Sequence, residues 1–154
     1  MSFRVTFAAA VVTALAGLAF SPYAASAQEA VVKERQDLMS SFGEWGKTLA
    51  AAAKGAPLDA AVAKAAEDTS AGMKKTPSLF PAGTGSDKMK NRAKPEIWAD
   101  MAKFTGYAND GAAAYTALAA AAKGGDADAY RSAFTKAAAS CAACHKDFRG
   151  PAVR

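Results

Sequence analysis

The sequence predicts an all-α protein, an antiparallel four-helix bundle, and three observations carry that prediction. Alanine dominates the chain and β-branched residues are sparse, a composition that favours helix. Four segments alternate steps of three and four between core-type residues, which is the spacing of one helical face. Glycine and proline mark short breaks between the first and second segments and between the third and fourth, so each pair folds back on itself. The 154 residues suffice for one domain.

The elements follow in chain order. A basic start ending at Arg4, an uncharged apolar run from Val5 to Phe20 and small residues at Ala25-Ser26-Ala27 read as a signal peptide, residues 1–27. The apolar run is short for a membrane span and no basic stop-transfer cluster follows, so residues 28–154 are expected as an exported chain without a membrane anchor. The first helix runs over about residues 30–54, with Val31, Leu38, Phe42, Trp45 and Leu49 in its stripe and Arg35 completing the spacing. Gly55 and Pro57 stop it. The second spans about residues 58–73 with an alanine-rich stripe of Leu58, Val62, Ala66, Thr69 and Met73. Residues 74–94 form a long connection rich in Gly, Pro, Ser and Lys, which either wraps the bundle or borders a cofactor. The third helix opens at Pro95-Glu96, a favourable first turn, and holds its rhythm from Ile97 through Met101, Phe104, Ala108, Gly111, Tyr115 and Leu118 to Ala122. Gly124-Gly125 ends it. The fourth begins at Asp126, a fitting N-cap, and carries Tyr130, Phe134, Ala137, Cys141, Cys144 and Phe148 on one face.

Charge and cysteine content narrow the function. The formal net charge of +5 drops by one when Arg4 leaves with the leader, and the remaining charges are dispersed. No clustered basic stripe with stacking aromatics suggests nucleic acid. Lys74, Lys75, Lys88, Lys90, Arg92 and Lys94 gather in the long connection, opposed by Asp87. They read as a solvated loop or as a weakly basic rim for an acidic redox partner.

The chain has two cysteines and one histidine, all within Cys141-Ala142-Ala143-Cys144-His145. On a helix Cys141 and Cys144 share a face one turn apart, and both fall on the apolar stripe. Two thiols so placed form thioethers with the vinyl groups of a haem, and the adjacent histidine binds its iron; the spacing is that of c-type haem attachment. A redox dithiol needs a βαβ context, and a structural zinc needs four ligands; neither is present in the pattern. The cofactor expected is therefore one covalently bound haem c per chain. Alanine-rich stripes leave room between helices for such a flat group, since interiors pack to a fixed density.

With attachment near the C-terminus, on the last helix of a bundle, residues 28–154 resemble the class II c-type cytochromes, the cytochrome c′ family. Three more stretches carry the resemblance: Arg35-Gln36 with Met39 four after the arginine, Lys94-Pro95-Glu96-Ile97-Trp98, and His145-Lys146-Asp147-Phe148-Arg149. The family divides at the position four after the helix-one arginine. The resemblance implies that an apolar residue there leaves the iron five-coordinate, and a methionine makes it six-coordinate and low-spin. Met39 thus points to the methionine-ligated branch, with His145 and Met39 as iron ligands; a soft thioether favours ferrous iron. Met39 also lies beside the strict stripe, where methionine serves as core filler. Met101, inside a strong stripe, stands next in line as a ligand. Arg149, one turn beyond His145, either tunes the iron by its charge or complements the helix dipole. Arg35 either meets a haem propionate or covers the bundle edge with its stem.

The function these features imply is that of a periplasmic single-electron carrier that docks on periplasmic redox proteins, as a monomer or a homodimer. The alternative is a five-coordinate protein that binds nitric oxide or carbon monoxide at an open distal site. No catalytic constellation is visible, and the sole histidine is committed to iron, so enzyme activity is not expected.

Overall fold

The computed structural model describes residues 22–153. The expected leader therefore lies outside the described residues up to position 21, and the helix that follows runs through the expected cleavage point. The elements are α1 (Pro22–Ala53), α2 (Ala60–Lys75), a 3₁₀ turn (Thr76–Leu79), the short α3 (Glu96–Ala99), α4 (Met101–Gly124) and α5 (Ala127–Phe148). The long helices α1, α2, α4 and α5 form the bundle; α2 packs on α4, α4 on α5 and α1 on α2, while α1 touches α5 more lightly. No helix among the described residues is long and apolar enough to cross a membrane.

Local chemistry sets the helix ends. Asp59 Oδ1 accepts from Val62 N at 3.0 Å, and Asp126 Oδ1 accepts from Asp128 N and Ala129 N at 2.9 and 3.0 Å. Each satisfies donors that a helix start leaves unpaired. Gly125 closes α4 at φ +73°, a left-handed conformation that costs glycine nothing. The expected third helix is interrupted once. Asp100 leaves helical geometry and its carboxylate caps Lys103 N at 2.9 Å, so α3 ends and α4 begins there. The stripe survives the break, with Ile97, Phe104, Tyr115 and Leu118 all buried.

Two apolar clusters result. One, built on Leu49, Val62, Ala66, Leu118 and Tyr130, fills the bundle. Tyr130 has no exposed surface, and its hydroxyl donates to Leu49 O at 3.0 Å, joining α5 to α1. The other joins Ala93, Ile97, Phe104 and Phe148 at the far end of α5.

The long connection wraps this second end. Trp98 Nε1 donates to Phe80 O and Pro81 O at 3.0 and 3.1 Å. Asn91 Nδ2 donates to Thr84 O and Met89 O, and Asn91 Oδ1 accepts from Ala93 N. An antiparallel bridge, Ala93 to Arg149, ties the loop to the chain end, with Lys94 N on Phe148 O at 3.1 Å and Gly150 N on Arg92 O at 2.8 Å.

Candidate cofactor site

The last turns of α5 are fastened before they present any chemistry. Asp147 accepts from Tyr107 Oη at 3.0 Å and pairs with Lys103 Nζ at 2.8 Å, both on α4. These two partners hold its carboxyl below the usual carboxylate range. Lys94 Nζ donates to Asp147 O at 2.6 Å from the loop. With the helix end held on two sides, Cys141, Cys144 and His145 face a common cavity of about 600 Å³. That is the size of a cofactor pocket.

The other walls come from every part of the fold. Arg35, Met39 and Phe42 contribute from α1, Met73 from α2, Phe80, Asn91 and Ala93 from the loop and Tyr107 from α4. Arg149 also reaches it. The sequence-expected residues Cys141, Cys144, His145, Met39, Arg35 and Arg149 are therefore brought together. Met101 is not: it packs beside Phe104 and Phe148 in the apolar cluster. Its place as second thioether on the cavity wall belongs to Met73. The connection 74–94 borders the cavity, through Phe80, Asn91 and Ala93. Tyr107 and Asn91 were not marked by the sequence: Tyr107 sits at the edge of the stripe beside Ala108, where an aromatic reads as core, and Asn91 lies in the connection outside any periodic segment.

The two cysteines are free thiols. Burial, then the charges of Cys141 and Asp147, push the Cys144 thiol up to about 11, so it stays protonated near neutral pH. Cys141 Sγ lies 3.4 Å from the hydroxyl of buried Tyr115. Burial lowers the His145 pKa, and Arg149 and Arg92 lower it further, so the imidazole is neutral near pH 7 with a lone pair free for a metal. No group of three or more His, Cys, Asp or Glu side chains able to hold a metal ion occurs among the described residues. A cavity of about 600 Å³ suits a ligand larger than a bare ion.

Arg35 tests that ligand's identity. It is buried at 4 % exposure. Its guanidinium donates to Thr84 Oγ1 at 3.0 Å and Thr84 O at 2.5 Å and lies 4.6 Å from the Phe80 ring centroid. All these partners are neutral, no carboxylate pairs with it among the described residues, and burial lowers its pKa. A buried cation without an anion is costly unless a ligand supplies one. Two thiols, a neutral imidazole and an unpaired cation around one cavity of about 600 Å³ fit a haem, whose vinyl groups, iron and carboxylates match them in turn.

Known proteins agree. A family model described as Cytochrome C' matches residues 30–149. Cytochrome c' of Pararhodospirillum photometricum is 37% identical over 122 residues, covering 79% of this chain and 97% of that protein. Among solved structures, cytochrome c' from Rhodobacter Spheriodes superposes with a TM-score of 0.73 at 35% identity, covering 81% of this chain and 98% of the other. A nitric oxide complex of a variant cytochrome c prime from Alcaligenes xylosoxidans superposes with a TM-score of 0.70 at 32% identity, covering 80% and 97%.

Proposed function

Because the chain belongs to the cytochrome c′ family, we propose that it is an exported, periplasmic haem c protein that takes up nitric oxide or carbon monoxide at the iron position His145 leaves free. When bound, the haem supplies an iron that binds a diatomic gas or exchanges one electron. The protein's own groups do the rest. Cys141 and Cys144 carry the thioethers, His145 offers its lone pair, Arg35 receives a carboxylate, and Arg149 places positive charge near His145.

One observation carries the gas-binding reading. Of the side chains lining the cavity, His145 is the one imidazole, and the other neutral donors of metal-binding character are thioethers, Met39 and Met73. A thioether holds iron less firmly than a second imidazole would, and a solved relative of similar fold is a nitric oxide complex. This replaces the six-coordinate carrier as the leading reading, since membership of the family extends to no particular branch of it. The second reading keeps Met39 as an iron ligand, and the placement of Met39 on the same cavity as His145 favours it.

Optical spectra separate the two. An open site gives high-spin ferric and ferrous spectra and stoichiometric CO uptake by the reduced wild type. A low-spin ferrous protein that refuses CO, and accepts it after Met39→Leu, would overturn the open-site reading and establish His145/Met39 ligation.

A further inference from the structure

Beside the cavity, sharing Arg92, Cys141, His145 and Arg149 with it, lies a second and more open hollow of about 660 Å³. Its charged lining is Arg92 from the loop with Lys146 and Arg149 from the end of α5, and no carboxylate lines it. None of the three cations has an ion-pair partner among the described residues; the Nε of Arg92 is spent on Gly150 O at 2.9 Å. Three of the loop lysines differ in this respect. Lys75 pairs with Glu34, Lys88 with Asp87 and Lys94 with Glu96. The bridge between Ala93 and Arg149 holds loop and helix end together, so the three charges are gathered by the fold rather than by sequence proximity.

We propose that the face formed by Arg92, Lys146 and Arg149 docks an acidic protein that exchanges an electron with the haem. The proposal rests on the haem reading of Cys141, Cys144 and His145. Like charges held together without counter-charges raise the local potential and attract a surface of opposite sign. Exposed cations on two separate segments, around a hollow that also reaches Cys141 and His145, suit an extended carboxylate-bearing surface that must approach the cofactor. The step is one electron from ferrous iron to the partner's redox centre, with no proton or bond moving.

The test uses the purified holoprotein and two probes. In stopped flow, the reduced protein passes its electron to hexacyanoferrate(III), which becomes hexacyanoferrate(II), or to the cationic tris(phenanthroline)cobalt(III). The rate with the anion should fall as salt rises. Lys146→Glu should lower it about 5- to 10-fold at low ionic strength and raise the cobalt rate, with both differences fading above the screening range. Lys54→Glu, just past the end of α1 and absent from the hollow's lining, makes the same change in net charge and should have little effect. In calorimetry, poly-L-glutamate should bind wild type and the Lys54 variant alike, and bind Lys146→Glu and Arg149→Gln several-fold more weakly, with Arg149→Lys restoring the affinity. Equal effects of Lys54→Glu and Lys146→Glu would overturn the proposal. So would inorganic phosphate binding as tightly as polyglutamate, which would assign the hollow to a small anion. Absence of covalent haem from the purified protein would defeat the haem reading separately, and the polyglutamate arm would still report on the surface.

Discussion

Tyr130→Phe should destabilise the protein at neutral pH and stabilise it in strong alkali. The substitution removes one hydroxyl, which donates to Leu49 O at 3.0 Å, and leaves the ring stacked on Phe134. Losing a buried neutral hydrogen bond costs about 1 kcal/mol. The same burial pushes the Tyr130 pKa from 10.0 up to about 12. A group whose folded pKa is raised contributes stability that is complete below the unfolded pKa and lost as pH climbs through the folded one. The wild type therefore loses on the order of 2–3 kcal/mol through this group between pH 10 and pH 12, and the phenylalanine variant loses none of it. The two stability curves should cross near pH 11, where the accumulated loss matches the roughly 1 kcal/mol hydrogen bond. Buried Tyr115 also titrates high, but it is common to both proteins and cancels in the difference. Urea titrations of the holoprotein followed by far-ultraviolet circular dichroism, from pH 7 to pH 12, measure it. A constant difference across that range would refute the account, because it would mean Tyr130 ionises equally in both states.

Three further outcomes follow from particular contacts. Arg35→Met should cost little without haem, within about 1 kcal/mol, since Thr84 keeps its bonds to Pro81 O and Asn91, but about 3 kcal/mol or more with haem bound; equal losses in apoprotein and holoprotein unfolding would deny Arg35 an anionic ligand. Gly72→Ala should destabilise, because its Cβ would lie 2.5 Å from Phe42 Cε1, whereas Gly106→Ala meets nothing within 4 Å and should gain about 0.5–1 kcal/mol of helix propensity; thermal melts of the pair check the sign. Asp126→Ala removes acceptors from two N-terminal amides of α5 and should cost about 1 kcal/mol, which thermal unfolding would register.

Much of the fold was legible because its determinants are local. Asp126 caps and Gly125 terminates through contacts with residues two to four positions away, so their types predict their roles. The break at Asp100 was not legible. The three–four rhythm runs unbroken from Ile97 to Phe104, and an aspartate reads equally as a helical surface residue or as a cap. The choice depends on whether its carboxylate reaches Lys103 N, which is a matter of backbone path. The role of the long connection was likewise hidden. Its anchors join Arg35 to Thr84 and Lys94 to the helix end at Phe148, pairs that only the folded bundle brings together. The loop cations read as a solvated loop or as a basic rim; in the fold Lys75, Lys88 and Lys94 are paired, while Arg92 joins Lys146 and Arg149 around one hollow that no carboxylate lines.

The sequence by itself determined the fold class, the attachment motif and the inward face of both cysteines. These depend on helical periodicity and on residues three and four apart, whose relative positions any α-helix imposes. Only the tertiary structure decided which methionines share a cavity with His145 and what surrounds Arg35. Met39, Met73 and Met101 all occupy plausible helical positions, and what separates them is how the helices pack. That packing puts Met39 and Met73 on the cavity wall and turns Met101 into the Phe104 cluster. It also buries Arg35 with neutral partners, leaving a cation whose missing counter-charge a haem carboxylate would supply.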